Sequence, residues 1–104
     1  MRGDAYTLEY LPLVDEELAE AVRYITYELR NPDAAMKLVA DAEAAIQDRL
    51  FAPESFEPVP SMKERKHPYY RIPVGNYVVL YVVIGTVMEI RRFVYGPSDW
   101  RTTI

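Results

Sequence analysis

Apolar and polar residues alternate from Ala5 to Tyr10, with Tyr6, Leu8 and Tyr10 on one side and Thr7 and Glu9 on the other. That period of two predicts a short strand. At Leu11 the period changes. Leu11, Val14, Leu18, Val22, Ile25 and Leu29 recur at steps of three or four, the stripe of an amphipathic helix running to about Arg30. Asp15, Glu16 and Glu17 near its start and Arg30 at its end complement the helix dipole. Asn31-Pro32-Asp33 then supplies a capping side chain, a proline suited to the first helical position and an acidic residue behind it. A second helix follows, with an alanine-rich stripe of Ala35, Leu38, Val39, Ala42, Ala45, Ile46 and Leu50 that lets a neighbouring layer approach closely. The two helices are expected to form an antiparallel hairpin with almost no loop.

Pro53, Pro58, Pro60 and Pro68, together with the charged run Lys63-Glu64-Arg65-Lys66, mark residues 52–68 as an exposed connection, and loops of that length are often functional. Three β-rich runs come next: Tyr69 to Val74, Tyr77 to Ile84 and Val87 to Tyr95. Gly75-Asn76 and Gly85-Thr86 separate them as two-residue hairpin turns, because glycine supplies the positive φ such turns require. The middle run is apolar on both faces and belongs at the sheet centre. The predicted class is α+β in the order β-α-α-β-β-β, a helical hairpin packed on a small, mainly antiparallel four-stranded sheet. The 104 residues suit one domain over 1–104.

Composition adds three constraints. There is no cysteine and only one histidine, which rules out disulfides, a thiolate nucleophile and a His/Cys zinc site. No apolar run approaches the roughly 20 residues that span a bilayer. Met-Arg-Gly-Asp at the start has no apolar core like that of a signal peptide, so a cytoplasmic location without membrane contact is expected. Net charge is -4, but residues 1–60 carry five Lys and Arg against thirteen Asp and Glu, whereas 61–104 carry seven against three. An acidic side and a basic side follow if the two parts present different surfaces, and function is expected on the basic side.

Tyr70-Arg71-Ile72-Pro73-Val74-Gly75-Asn76-Tyr77, Val79-Leu80-Tyr81, the closing Glu89-Ile90-Arg91-Arg92-Phe93-Val94-Tyr95-Gly96 with Asp99-Trp100, and Asn31-Pro32 with Ala34-Ala35 together resemble the motifs of the RelE/ParE superfamily of toxins from bacterial type II toxin–antitoxin modules. The resemblance covers nearly the whole chain. It implies a growth-inhibiting toxin silenced by a cognate antitoxin, whose flexible segment orders as it wraps the toxin and whose acidic residues would mask the basic face. One branch of the superfamily cleaves mRNA on the ribosome. Another poisons DNA gyrase without nuclease residues. This chain has Val78 where RelE-type nucleases carry an arginine, and Pro97-Ser98 where the family usually closes on Arg-Arg.

A metal-free ribonuclease needs a base, an acid and cations to stabilise charge on the scissile phosphate. On the nuclease reading, taken first, Arg71 and Arg92 contact phosphate and Tyr95 is the acid or a stacking platform. His67 or Glu64 would move protons, while Lys63, Arg65 and Lys66 hold the RNA backbone, with no metal or cofactor. Ribosome and mRNA are then the targets. On the second reading the chain is a binding module directed at DNA gyrase, and on a third it is a degenerate toxin that only binds antitoxin. Each residue also has a structural role open to it. Arg71 could pair with Glu89 across neighbouring strands. His67 and the run from Lys63 to Lys66 could be solvated surface, and Tyr95 and Trp100 could anchor the tail by packing. Arg91 and Arg92 alternate across a strand, so at most one of them belongs to a site.

Overall fold

A computed structural model describes residues 6–61 and 63–104. Strand β1 (Thr7–Tyr10) leads into helix α1 (Pro12–Arg23), followed by a π-helical turn, Tyr24–Glu28, and helix α2 (Pro32–Leu50). Strands β2 (Tyr70–Val74), β3 (Tyr77–Ile84) and β4 (Val87–Tyr95) and a 3-10 turn, Trp100–Thr102, complete the order. The sheet runs β1-β4-β3-β2, with β1 parallel to β4 and the other pairs antiparallel. Class and order agree with the hydrophobic pattern. The first strand begins at Thr7; Ala5 lies outside the described residues.

Both hairpins turn where the glycines stand. Val74 pairs with Tyr77 and Ile84 with Val87, and Gly75 and Gly85 take φ of 58° and 63°. Positive φ at the first central residue alone is the requirement of a II′ turn, which matches strand twist. Asn31 caps α2 by accepting the Ala34 N–H at 3.1 Å, with Pro32 at the first position.

The first helix departs from its simple stripe. The Leu29 N–H donates five residues back to the Tyr24 carbonyl at 3.1 Å, and Asn31 N–H reaches the Ile25 carbonyl at 3.0 Å, with Arg30 at φ 54° between them. The wider turn rotates the end of the helix. Val14, Ala21 and Ile25 stay buried, whereas Leu29, predicted to face inward, is exposed beside Tyr24 and Tyr27.

The core divides into two layers on either side of the sheet. Under the helices, Val14, Ala21, Ile25, Ala35, Leu38, Ala42 and Ile46 meet Ile72, Val79, Tyr81, Met88, Ile90 and Phe93. On the opposite face, Val59, Tyr69, Leu80, Val82, Val94 and Trp100 form a smaller cluster roofed by the 52–68 loop and the 3-10 turn. β3 feeds both layers and is buried on both faces, as its uninterrupted apolar run predicts.

A register shift sets which side chains of β4 enter which layer. Leu80 pairs with Arg92 and Tyr81 with Ile90, so Arg91 is an extra residue, a β-bulge that reverses the alternation. After it, Phe93 joins Ile90 on the helical side and stacks on Tyr77 at 5.0 Å, while Val94 enters the outer cluster. β4 also outruns β1, whose pairing ends at Tyr10–Ile90. Beyond that point α1 replaces the missing strand. Glu17 accepts the Phe93 N–H at 2.8 Å and holds Arg92 through Nε at 3.0 Å and Nη2 at 2.7 Å. Both side chains are largely buried, at 19% and 22% exposure, unlike the solvated Glu20–Arg23 pair. Glu17→Gln is therefore expected to lower unfolding stability by about 1.5–3 kcal/mol, the range for hydrogen bonds to charged groups. Arg23→Ala should change it by less than about 1 kcal/mol. Urea denaturation of the two variants measures the difference.

Candidate functional site

The basic residues of the outer sheet face line two adjoining clefts. The first, about 320 Å³, lies beside edge strand β2 and is lined by Arg49, Phe56, Glu57, Pro58, Val59, Pro60, Arg71, Pro73 and Arg101. The second, about 440 Å³, shares Val59, Pro60 and Arg101 with it and adds Lys63, Arg65, Tyr69 and Ile104. Lys63, Arg65, Arg71 and Arg101 of the basic part thus share one surface, where Arg49 of α2 joins them, although six of the nine residues lining the first cleft, Glu57 among them, come from the acidic part.

Arg71 points out of β2 and is exposed, as alternation along Tyr70–Val74 requires. It is not paired with Glu89. The strand order puts β3 between β2 and β4, and Glu89 instead takes Arg91 at 2.7 Å. Among the described residues Arg71 makes no ion pair, and neither do Arg49 and Arg101. Arg101 lies over the Trp100 ring at 4.3 Å, and Trp100 is buried in the outer cluster with its Nε1–H on the Gly96 carbonyl at 3.1 Å. Packing is thus the role of Trp100.

Arg49 has no counterpart among the residues singled out from sequence. Its Nη1 donates to the Tyr81 hydroxyl at 3.0 Å and to the Arg71 carbonyl at 3.3 Å, and its guanidinium stacks on Phe56 at 3.5 Å. Tyr81 in turn donates to the Pro53 carbonyl at 2.6 Å. One side chain therefore ties the end of α2, the start of the loop and strands β2 and β3 together. No local pattern marks it, because an arginine in the last turn of a helix is already explained by the dipole.

The loop cations divide. Lys63 and Arg65 both donate to the Ile104 carbonyl oxygen, and Arg65 lies over the Tyr69 ring at 5.0 Å. Lys66 and Glu64 are exposed and His67 is half-buried, and none of the three lines either cleft. Arg92 is turned to Glu17, whose hydrogen bond raises its pKa against the opposing effect of burial. Arg91, held by Glu89 and near Tyr69, goes to a different partner, so the two arginines do not share a site. Tyr95 lies at the far end of β4, edge-on to Tyr77 at 5.6 Å. The grooves it lines hold Tyr24, Leu29, Asn76 and Tyr77 on one side and Glu17, Glu20 and Ser98 on the other. They share no residue with the Arg71 cleft. The structure therefore gathers Arg71, Lys63 and Arg65 with Arg49 and Arg101, and leaves Arg92, Tyr95, His67 and Lys66 apart. Among the described residues no group of three or more His, Asp or Glu side chains converges as a metal ion needs, and no helix is long and apolar enough to cross a membrane.

A helical hairpin on a four-stranded mixed sheet, with a basic outer face beneath a long loop, defines a RelE/ParE-type toxin domain. The family model described as "ParE toxin of type II toxin-antitoxin system, parDE" matches residues 8–100, and the chain belongs to that family. Two solved structures are similar in fold. A chain of the chromosomal ParDE toxin–antitoxin system from P. aeruginosa superposes with a TM-score of 0.70 at 16% identity, covering 86% of this chain and 95% of that one. A chain of the archaeal RelE–RelB complex from Pyrococcus horikoshii OT3 gives a TM-score of 0.53 at 17% identity, covering 90% and 98%. No curated protein matches the chain in sequence.

Burial raises the pKa of the Tyr81 phenol despite the opposing hydrogen bond from Arg49, and burial likewise raises Tyr10, Tyr70 and Tyr77. A folded-state pKa above the unfolded value of 10.0 gives stability that is complete below pH 10 and is lost as pH rises through the folded values. The urea midpoint is expected to be flat from neutral pH to about pH 9.5 and to fall above pH 10. Tyr81→Phe should flatten part of that fall while costing about 1–2 kcal/mol at neutral pH, because the Pro53 carbonyl and an Arg49 N–H lose their partner.

Proposed function

We propose that this chain is a gyrase-directed toxin of the ParE type, which arrests growth by occupying a protein target and is neutralised by a cognate antitoxin. The observation that carries this reading is the dispersal of the groups an mRNA nuclease would need. Arg71 lies in one cleft, Arg92 is held by a carboxylate of α1, and Tyr95 borders separate grooves. General acid–base cleavage requires its proton donor and its phosphate cations within hydrogen-bond reach of one scissile group. Val78, which stands where RelE-type nucleases carry an arginine, points the same way. Membership of the ParE family supports it further. The structural neighbours, chains of a ParDE system and of a RelE–RelB complex, support an antitoxin as partner. Arg71 on β2, Arg101 on the 3-10 turn and the loop then serve as interface contacts, where arginines are effective anchors.

Inducing the chain alone in a bacterial host tests the reading. Growth arrest with double-strand DNA breaks, an SOS response and intact mRNA is the expected result. New mRNA 5′ ends inside reading frames would instead restore the nuclease, and harmless expression would leave a toxin that only binds antitoxin. Arg71→Ala should abolish or strongly weaken arrest while the purified variant keeps the unfolding midpoint of the parent, since its side chain is exposed. A folded variant of full toxicity would remove Arg71 from the interface.

A further inference from the structure

We propose that the cleft between Arg49, Arg71 and Arg101 is a binding site for a compact phosphate monoester of nucleotide size. The site reuses Arg71 and Arg101 of the proposed target interface but does not rest on that reading, and the inference begins from a charge imbalance. Three guanidiniums face one carboxylate, Glu57, in about 320 Å³, and none of the four groups forms an ion pair among the described residues. On β4, beyond β3, each arginine has its own glutamate. Like charges brought together without counterions lower stability, and a bound anion removes that cost.

The donors are also held in advance. Arg49 uses only Nη1 for Tyr81 and the Arg71 carbonyl, and its plane is fixed against Phe56, so Nε and Nη2 are left without a partner among the described residues. Arg101 is laid on Trp100. A guanidinium already immobilised loses little entropy on binding.

The number of donors selects the anion. Three planar forks offer more N–H groups than the two oxygens of a carboxylate can accept, whereas a phosphate monoester presents three acceptor oxygens and up to two charges. The volume lies at the low end of small-ligand pockets, about 300–1,000 Å³. In the adjoining cleft Lys63 and Arg65 already donate to the Ile104 oxygen, which leaves them less available to a long polyanion. Phe56, Pro58, Pro60 and Pro73 supply an apolar wall on which a base or similar ring can lie.

Calorimetric titration of the full chain with adenosine monophosphate, inorganic phosphate, a single-stranded DNA hexamer with or without a 5′-phosphate, and hexaglutamate tests the proposal. The emission of Trp100, the chain's one tryptophan, reports the site. Adenosine monophosphate is expected to bind with a single-site isotherm, more tightly than inorganic phosphate, and to shift that emission. Only the 5′-phosphorylated hexamer should compete. Arg71→Ala and Arg101→Ala, both exposed, should each weaken binding about tenfold or more, as expected for loss of a charge-assisted hydrogen bond. Lys37→Ala, which removes an equal charge from the distant face of α2, should leave it unchanged. Absence of saturable binding by adenosine monophosphate overturns the proposal, whether or not inorganic phosphate binds. Equal competition by the unphosphorylated hexamer, tighter binding of hexaglutamate, or undiminished binding in both arginine variants would overturn it as well.

Discussion

The rest of the molecule depends on how β4 is completed beyond the end of β1. A strand that outruns its neighbour leaves main-chain donors without a ladder, and a buried unpaired N–H is costly. Here the Glu17 carboxylate takes the Phe93 N–H and secures Arg92 at the same time, so a side chain of α1 substitutes for the missing strand. The bulge at Arg91 acts together with this clamp. It reverses the alternation, sends Phe93 under the helices and Val94 outward, and so decides the composition of both hydrophobic layers. Fixing α1 to β4 in this way also fixes the helical hairpin on the sheet.

Two carboxylates, Glu17 and Glu89, divide the cations. Arg91 and Arg92 are given carboxylates and become structural, while Arg49, Arg71 and Arg101 are left without them and line a cleft on the opposite side of β3. Charge on β4 is thus neutralised inside the fold, and charge at the cleft is left open at the surface. The long loop is what makes the cleft concave. Arg49 and Tyr81 hold its first residues through Pro53, and Val59 is pinned to Tyr69 by a main-chain hydrogen bond of 2.7 Å. A loop tied at both places presents its prolines as a rigid wall, which suits binding better than a mobile flap does.

The tyrosines show why counting residue types says little about their work. Tyr70, Tyr77 and Tyr81 are mostly or fully buried and stack within the helical-side layer or against its edge, with Tyr70 and Tyr81 at 5.3 Å. Tyr24, Tyr27 and Tyr95 are exposed, the first two on the π-helical turn. A widened turn costs hydrogen-bond geometry and recurs at functional positions. It is also why the regular stripe read along the first helix fails at Leu29.

Local sequence pattern determined the element order, the nearly loopless helical hairpin, both hairpin turns and the central position of β3. Each of these is a local matter: spacing within a helix or strand, a capping side chain, or glycine at positive φ. The basic outer face was legible in part, through Arg71 and the loop cations Lys63 and Arg65. What tertiary structure decided was the assignment of partners. A bulge shifts register by one residue without altering composition, so the fates of Arg92 and Phe93 could not be read from alternation. Arg49, Arg101 and the Glu17 clamp bring together residues up to 76 positions apart, and separation on that scale leaves no trace in local spacing.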